Sequence, residues 1–315
     1  VRRLIIDTDT GSDDAVAIIM ALKDNNVKVE AVTTVFGNVP LKQATKNALA
    51  TIEVLKQEIP VYKGSIRPLT REPVTAENVH GQDGMGDIGL INPKRKAEKE
   101  NAVNKILELV KKYPNEIELI TLGPATNIAK AIIRDPEVMK NIKHIYSMGT
   151  AGFGFGNVTP VAEFNVYADA EAYKIMVEFD VPLTIIGFDL CLGEAAFNKE
   201  EIQMLLDSRK EEAVFAMKCN KRVLEFNIER TGEHIIDFPD PLAMAVLLWE
   251  DITLEAPKSY CYTCIKEKAT YGQVIIHDWE FTGWPGFDDM KPNATVVKKV
   301  DSLKFKEKLI NILLK

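Results

Sequence analysis

The chain has no run of roughly 18 apolar residues, the least a membrane-spanning helix needs, so no membrane partner is expected. It has no basic tail and no Lys/Arg stripe, and its formal net charge is −7. A sequence-independent binder of nucleic acid needs the opposite balance, so no nucleic-acid partner is expected either. Cysteine is scarce, with Cys191, Cys219, Cys261 and Cys264 the only four. The last two form a C-x-x-C, but no second pair or nearby His completes a zinc site. They lie in a stretch whose residue types read as a strand, where alternation sends them to opposite faces. Low-complexity linkers and internal repeats are absent. Residues 1–15 read as a strand followed by acids rather than a signal peptide. With 46% hydrophobic and 27% charged residues, the expectation is a cytoplasmic enzyme or binding protein of ordinary globular composition.

Acid is locally abundant. Asp7-Thr8-Asp9-Thr10-Gly11-Ser12-Asp13-Asp14 places four carboxylates directly after the apolar Leu4-Ile5-Ile6. Those apolar residues read as a buried strand, and the Ala- and Ile-rich segment that follows reads as a buried helix. The carboxylates thus fall on a strand-to-helix turn, where α/β sheets bind ligands. Two charges about 4 Å apart repel by roughly 4 kcal/mol at an effective dielectric near 20. Such a cluster needs a cation, shared protons or side chains that point apart. A helix N-terminus explains Asp13 and Asp14, each stabilised by about 0.3–1 kcal/mol, but not the other two. A hard divalent cation bound by oxygen suits all four better.

Strand-like and helix-like stretches alternate. Strands are expected over 3–6, 29–35, 61–62, 117–121, 142–148 and 182–186, with helices over 14–22, 40–55, 102–112, 125–133 and 168–179. Residues 70–93 read as a loop, 274–276 and 294–300 as strands, and 301–314 as a terminal helix. The expected fold is α/β, a mostly parallel open sheet with helices on both faces and a helical insertion near residues 190–250, in a single domain spanning 1–315. Several expected strand ends carry Gly and Asn, at Gly37-Asn38, Gly123-Pro124, Met148-Gly149-Thr150 and Gly156-Asn157. Glu163-Phe164-Asn165 adds a polar pair around an aromatic. Phe238-Pro239-Asp240-Pro241 reads as a helix start, with Asp240 as N-cap and Pro241 in the first helical position.

These segments together resemble the ribonucleoside hydrolases of the inosine-uridine preferring type. D-T-D-x-G-x-D-D-A-x-A at 7–17 and G-N-V-T-P-V-A-E-F-N-V-Y-A-D-x-E-A at 156–172 carry most of the resemblance. V-F-G-N at 35–38, H-G-x-D-G at 80–84, G-P-x-T-N-I-A at 123–129, D-P-L-A at 240–243 and P-N-A-T-V at 292–296 extend it over nearly the whole chain. The resemblance implies hydrolysis of the N-glycosidic bond of ribonucleosides with Ca²⁺, a role in purine and pyrimidine salvage, and a homo-oligomer, dimer or tetramer. By position, Asp9, Asp14, Asp240 and the Leu122 carbonyl would hold the metal. Asp9 would also take the proton from a metal-held water that attacks directly, through an oxocarbenium-like transition state. Asp13, Asn38, Asn157, Glu163 and Asn165 would grip the ribose, and Asp7 would support from behind.

One position departs from the family pattern. Many members place a His directly before the last metal-binding Asp, to assist the leaving base; Pro239 stands there and cannot give a proton. His80, and after it His234, are the substitutes the sequence offers, while His144 and His277 read as structural. Phe226 and Arg230, four apart, read as packing partners that could cover the base. Two rival classes remain. A Mg²⁺-dependent phosphatase also carries D-x-D after a first strand, but needs Lys, Ser or Thr on later strand ends, where this chain has Asn and Glu. A non-catalytic nucleoside-binding protein would keep Asp13 and Asn165 without needing Asp9 beside a water.

Overall fold

The first strand, β1 (Arg2–Thr8), is buried on both faces beyond its first two residues. Leu4 and Ile6 join one core and Ile5 joins the other, the period-two alternation of a strand with helices on each side. In the computed structural model, which describes residues 1–89, 92–277 and 290–315, eleven further strands follow. They are β2 (Val27–Thr34), β3 (Val61–Lys63), β4 (Glu98–Asn101), β5 (Ile117–Thr121), β6 (His144–Met148) and β7 (Leu183–Ile186). After these come β8 (Thr253–Glu255), β9 (Lys258–Thr263), β10 (Val274–His277), β11 (Ala294–Val297) and β12 (Lys299–Val300).

Ten of these form one sheet in the order β10-β9-β11-β7-β6-β5-β1-β2-β3-β4, and β8 pairs with β12 separately. From β4 to β11 every pairing is parallel; at the other edge β9 runs antiparallel to both its neighbours, β11 and β10. The chain steps outward from β1 to β4, then returns to lay β5 on the other side of β1. That reversal opens a crevice at the carboxyl ends of β1, β2 and β5, the usual ligand site of such sheets.

On one face the helix Ser12–Lys23 lies buried along ten of its twelve residues. It packs against the helices Leu41–Val54, Glu211–Cys219, Pro239–Leu248 and Ser302–Leu314. On the other face stand Ala102–Lys112, Thr126–Arg134 and Ala170–Glu178. The α/β architecture is as expected. The helical region near 190–250 holds Lys199–Asp207, Glu211–Cys219, Lys221–Thr231 and Pro239–Leu248, but two of these four lie in the main core against Ser12–Lys23.

Three local differences have physical causes. The helix expected over 168–179 is found as Ala170–Glu178, and a short helix not expected, Phe164–Ala168, precedes it; Asp169 leaves helical geometry between them and caps the second through Ala172 N at 3.1 Å. β4 was not expected, since Glu98-Lys99-Glu100-Asn101 is a polar edge strand without an apolar face. The strand expected over 294–300 divides where the chain passes from the main sheet to the small one. Of the expected loop 70–93, residues 90 and 91 lie outside the described residues, and 77–80 form a single helical turn. Cys261 is buried in β9, Cys264 follows the strand, and all four cysteines are free. Among the described residues no helix is long and apolar enough to cross a membrane.

Asn127 ties the sheet ends together from within the core. Its Nδ2 donates to Asp7 Oδ1 at 2.8 Å and to the Thr34 carbonyl at 3.1 Å, and its Oδ1 accepts from Ser65 N at 2.9 Å. Asn127→Leu leaves Ser65 N unpaired and takes one bond each from Asp7 Oδ1 and the Thr34 carbonyl, which keep Thr33 Oγ1 and Gly64 N. Urea denaturation should show a loss of about 2–4 kcal/mol, since each unsatisfied buried group costs about 1–3 kcal/mol. A loss below about 0.5 kcal/mol would show that these bonds do not hold the sheet ends.

Candidate active site

Asp9 follows β1 directly and is wholly buried. Two glycines make room for it. A Cβ on Gly37 would stand 1.9 Å from Asp9 Oδ2, and one on Gly123 would stand 2.7 Å from Oδ1, so only glycine lets both backbones approach. Oδ2 accepts a hydrogen bond from Asn38 N at 2.6 Å, while Oδ1 is buried without a partner. Asp14, in the first turn of Ser12–Lys23, folds back on the turn. Its oxygens accept from Thr8 Oγ1 at 2.5 Å, Gly11 N at 2.8 Å and Asn38 Nδ2 at 3.0 Å. Helix capping is thus part of its work. Asp7 is engaged by Thr33 Oγ1 at 2.5 Å and by Asn127, and burial pushes its carboxyl up to about 7.

Asp240 arrives from the other end of the sequence, and not as a cap. The helix starts two residues earlier than expected, at Pro239, with Phe238 as N-cap and the first bond from Leu242 N to the Phe238 carbonyl at 3.0 Å. The N–H groups of a first helical turn have no intrahelical partner, so Pro239 and Pro241 both fit there and Asp240 sits between them. One carboxylate oxygen each from Asp13, Asp14 and Asp240 lie within 4.8 Å of one another, all three residues buried. That close grouping takes in Asp13, where the sequence led us to expect Asp9. Burial raises all four carboxyls, helped by their mutual repulsion. Asp13 and Asp14 are pushed up to about 6, Asp9 and Asp240 further. The donor set is all oxygen, and Asp9 Oδ1 and Asp13 Oδ1 have no hydrogen-bond partner. Such a set fits a hard divalent cation.

Above the cluster opens a cavity of about 780 Å³. Asp13, Asn38, Leu122, Asn165 and Asp240 line it, all buried at the sheet ends. Asn165 donates Nδ2 to the Leu122 carbonyl at 2.9 Å. Asn157 and Glu163 also line it. Asn157 Oδ1 accepts from Phe164 N at 2.9 Å, and Glu163 caps Phe164–Ala168 through Asn165 N at 2.9 Å and Val166 N at 3.3 Å. Burial pushes Glu163 up to about 7. His80 closes one side; its Nδ1 lies 2.9 Å from Ser12 Oγ and 3.7 Å from Asp13 Oδ1, and burial lowers its pKa. Phe226 and Arg230 line the wall as well, the guanidinium 6.0 Å from the ring centre.

His234 is the exception. It is exposed and does not line the cavity, although Glu233 and Ile235 beside it do. The segment is extended, with alternate residues turned inward, but its register is set by the distant Phe197 pairing with Ile236, which no local pattern shows. Sequence reading also missed Ser12, which holds His80, and three cavity carboxylates, Asp189, Glu233 and Asp237. Asp189 stands three residues past β7, a strand-end signal of the kind that marked the others.

A sequence model of the inosine-uridine preferring nucleoside hydrolases matches residues 4–307. Uridine nucleosidase 1 of Arabidopsis thaliana is 34% identical over 253 residues, covering 80% of this chain and 75% of that protein. A pyrimidine-specific ribonucleoside hydrolase of Salmonella paratyphi C is 31% identical, with 95% and 94% covered. Among solved structures, a plant nucleoside hydrolase superposes with a TM-score of 0.93 at 28% identity, covering 99% of this chain and 98% of that one. A purine-preferring ribonucleoside hydrolase from Gardnerella vaginalis gives 0.91 at 28% identity, with 99% and 98% covered. The chain belongs to the inosine-uridine preferring nucleoside hydrolase family. It is an N-glycosidase acting on nucleosides, which sets aside both the phosphatase and the purely binding reading.

The crowded carboxylates should betray themselves in stability without metal. Asp240→Asn removes a repelled charge, so in chelator-treated protein near pH 8 it should raise thermal stability by about 1–3 kcal/mol. Glu163 has the same sign of pH dependence. Its folded pKa, about 7, exceeds its ordinary 4.5, so its contribution is fully present below about 4.5 and lost as pH rises through 7. Metal-free protein should therefore gain stability from about pH 8 to pH 6. An Asp240→Asn protein less stable than wild type would contradict the repulsion.

Proposed function

We propose that this chain hydrolyses ribonucleosides to ribose and free base with one Ca²⁺ held by Asp9, Asp14, Asp240 and the Leu122 carbonyl. The observation that carries the reading is a floor of buried carboxylates, with Asp9 Oδ1 and Asp13 Oδ1 unpartnered, beneath a cavity large enough for a nucleoside. When bound, the cation would hold the ribose diol and make a neighbouring water more acidic. Asp9 takes the proton of the attacking water through Oδ1, its Oδ2 being fixed by Asn38 N. Asp13, Asn38, Asn157, Glu163 and Asn165 orient the ribose hydroxyls, and Asp13 and Glu163 stabilise positive charge growing at the anomeric carbon. For neutral bases His80 supplies the leaving-group proton. Ser12 occupies Nδ1, which leaves Nε2 for the base. The same reading takes residues 1–315 as a single cytoplasmic domain that assembles as a dimer or tetramer.

A panel of nucleosides assayed for released reducing sugar tests the reaction, and its arms test the roles. Asp9→Asn should lower kcat by on the order of 10²–10⁴ while substrate still binds, the usual loss on removing a general base. Near-normal turnover in that variant would require another base. Deoxyuridine should be a poor substrate beside uridine, because the missing 2′-hydroxyl leaves buried polar groups unpaired. Equal rates on the two would sink the ribose site.

A further inference from the structure

The segment joining the helices Lys221–Thr231 and Pro239–Leu248 is built like a strand although it pairs at only one residue. Ile236 and the Phe197 backbone exchange hydrogen bonds of 2.8 and 2.9 Å, and the Phe238 ring meets that of Phe197 edge-on at 5.1 Å. Ile236 and Phe238 are wholly buried, while Ile235, Asp237 and Pro239 line the cavity. Period two thus turns Asp237 toward the substrate space, and anchored neighbours keep it there. Asn227, on the facing helix, locks the arrangement. Its Nδ2 donates to Asp237 Oδ1 at 2.6 Å and to the Ile235 carbonyl at 3.1 Å. Asp237 Oδ2 takes no hydrogen bond among the described residues.

This carboxylate lines the cavity near His80, the group read above as serving the leaving base, and the cavity is already acidic. Asp13, Glu163, Asp189, Glu233, Asp237 and Asp240 line the cavity, and among the described residues Arg230 is the only lysine or arginine to do so. Asp237 is near enough for its charge to be felt at Asp13 and at His80. Repulsion from Asp13 makes it costly to keep, and nothing in the reaction of a neutral nucleoside uses it. Negative charge there opposes the electron pair that collects on a departing neutral base.

We propose that the cavity takes cationic ribosides, in which the glycosidic nitrogen belongs to a positively charged ring such as a pyridinium or a ring-alkylated purine, and that Asp237 selects them. The inference rests on the hydrolase reading above. In the reaction the C1′–N bond breaks and its electron pair passes to the ring nitrogen, cancelling the ring's charge. A water oxygen bonds to C1′ and gives one proton to Asp9. Riboside cation and water thus yield ribose, a neutral base and a proton, and the leaving group needs no acid. The substrate's single positive charge persists through the transition state, shifting from base to ribose, so Asp237 favours binding and transition state alike.

The test uses the calcium-loaded protein with N-(β-D-ribofuranosyl)pyridinium and, as a neutral riboside with an activated leaving group, p-nitrophenyl β-D-ribofuranoside. The ratio of their kcat/KM values should fall several-fold from low to high salt, as screening removes the attraction. Asp237→Asn should lower that ratio on the order of tenfold and flatten its salt dependence, whereas Asp237→Glu, which keeps the charge, should preserve both. An unchanged ratio in Asp237→Asn, or a pyridinium riboside left intact while the neutral one is cleaved, overturns the inference and leaves the hydrolase reading standing. If wild type cleaves neither riboside, the hydrolase reading fails and takes this inference with it.

Discussion

The structure is organised around one electrostatic problem, the burial of Asp9, Asp13, Asp14 and Asp240 together. Among the described residues no lysine or arginine pairs with any of them; only His80 comes near, beside Asp13. Their repulsion is tempered locally by donors. Thr8, Gly11 and Asn38 serve Asp14, and the Asn38 amide serves Asp9. What the donors leave unbalanced is two buried oxygens and a shared preference for the protonated form. A site under that tension has a strong thermodynamic reason to take up a divalent cation and the hydroxyls of a sugar.

Much of the fold can be understood as the support this arrangement requires. Ser12–Lys23 is buried along most of its length, so its first turn cannot move aside to relieve the crowding. Pro239 and Pro241 fix Asp240 from the opposite direction at a helix start that tolerates both prolines. Gly37 and Gly123 allow two strand ends to close on one carboxylate. Behind the site, Asn127 joins Asp7, Thr34 and Ser65, so the ends of β1 and β2 are held in common.

Much of this was legible in the sequence because its signals are local. The apolar Leu4–Ile6 followed by four acids names a strand end and its ligands within one stretch, and the Gly-Asn and Gly-Pro turns mark where other strand ends come close. Asp240 was also legible as a site residue, though its helix begins two residues early because a first turn accepts proline twice. What was not legible depends on long-range packing. No local pattern shows that Asp13 would group closely with Asp240, or that Ser12 would hold His80 from 68 residues away. Asp237 rather than His234 faces the cavity because Phe197 pins Ile236, a contact between distant segments.

The central claim is that the clustered carboxylates form a cation site held in tension by burial. Calorimetric titration of calcium into chelator-treated protein, run near pH 6 in two buffers of different ionisation enthalpy, tests it most directly. Carboxyls raised by burial hold protons at that pH and must release them to bind metal. The account predicts one calcium per chain with net proton release that shrinks as pH rises. Calcium binding without proton release, or no binding at all, would contradict it.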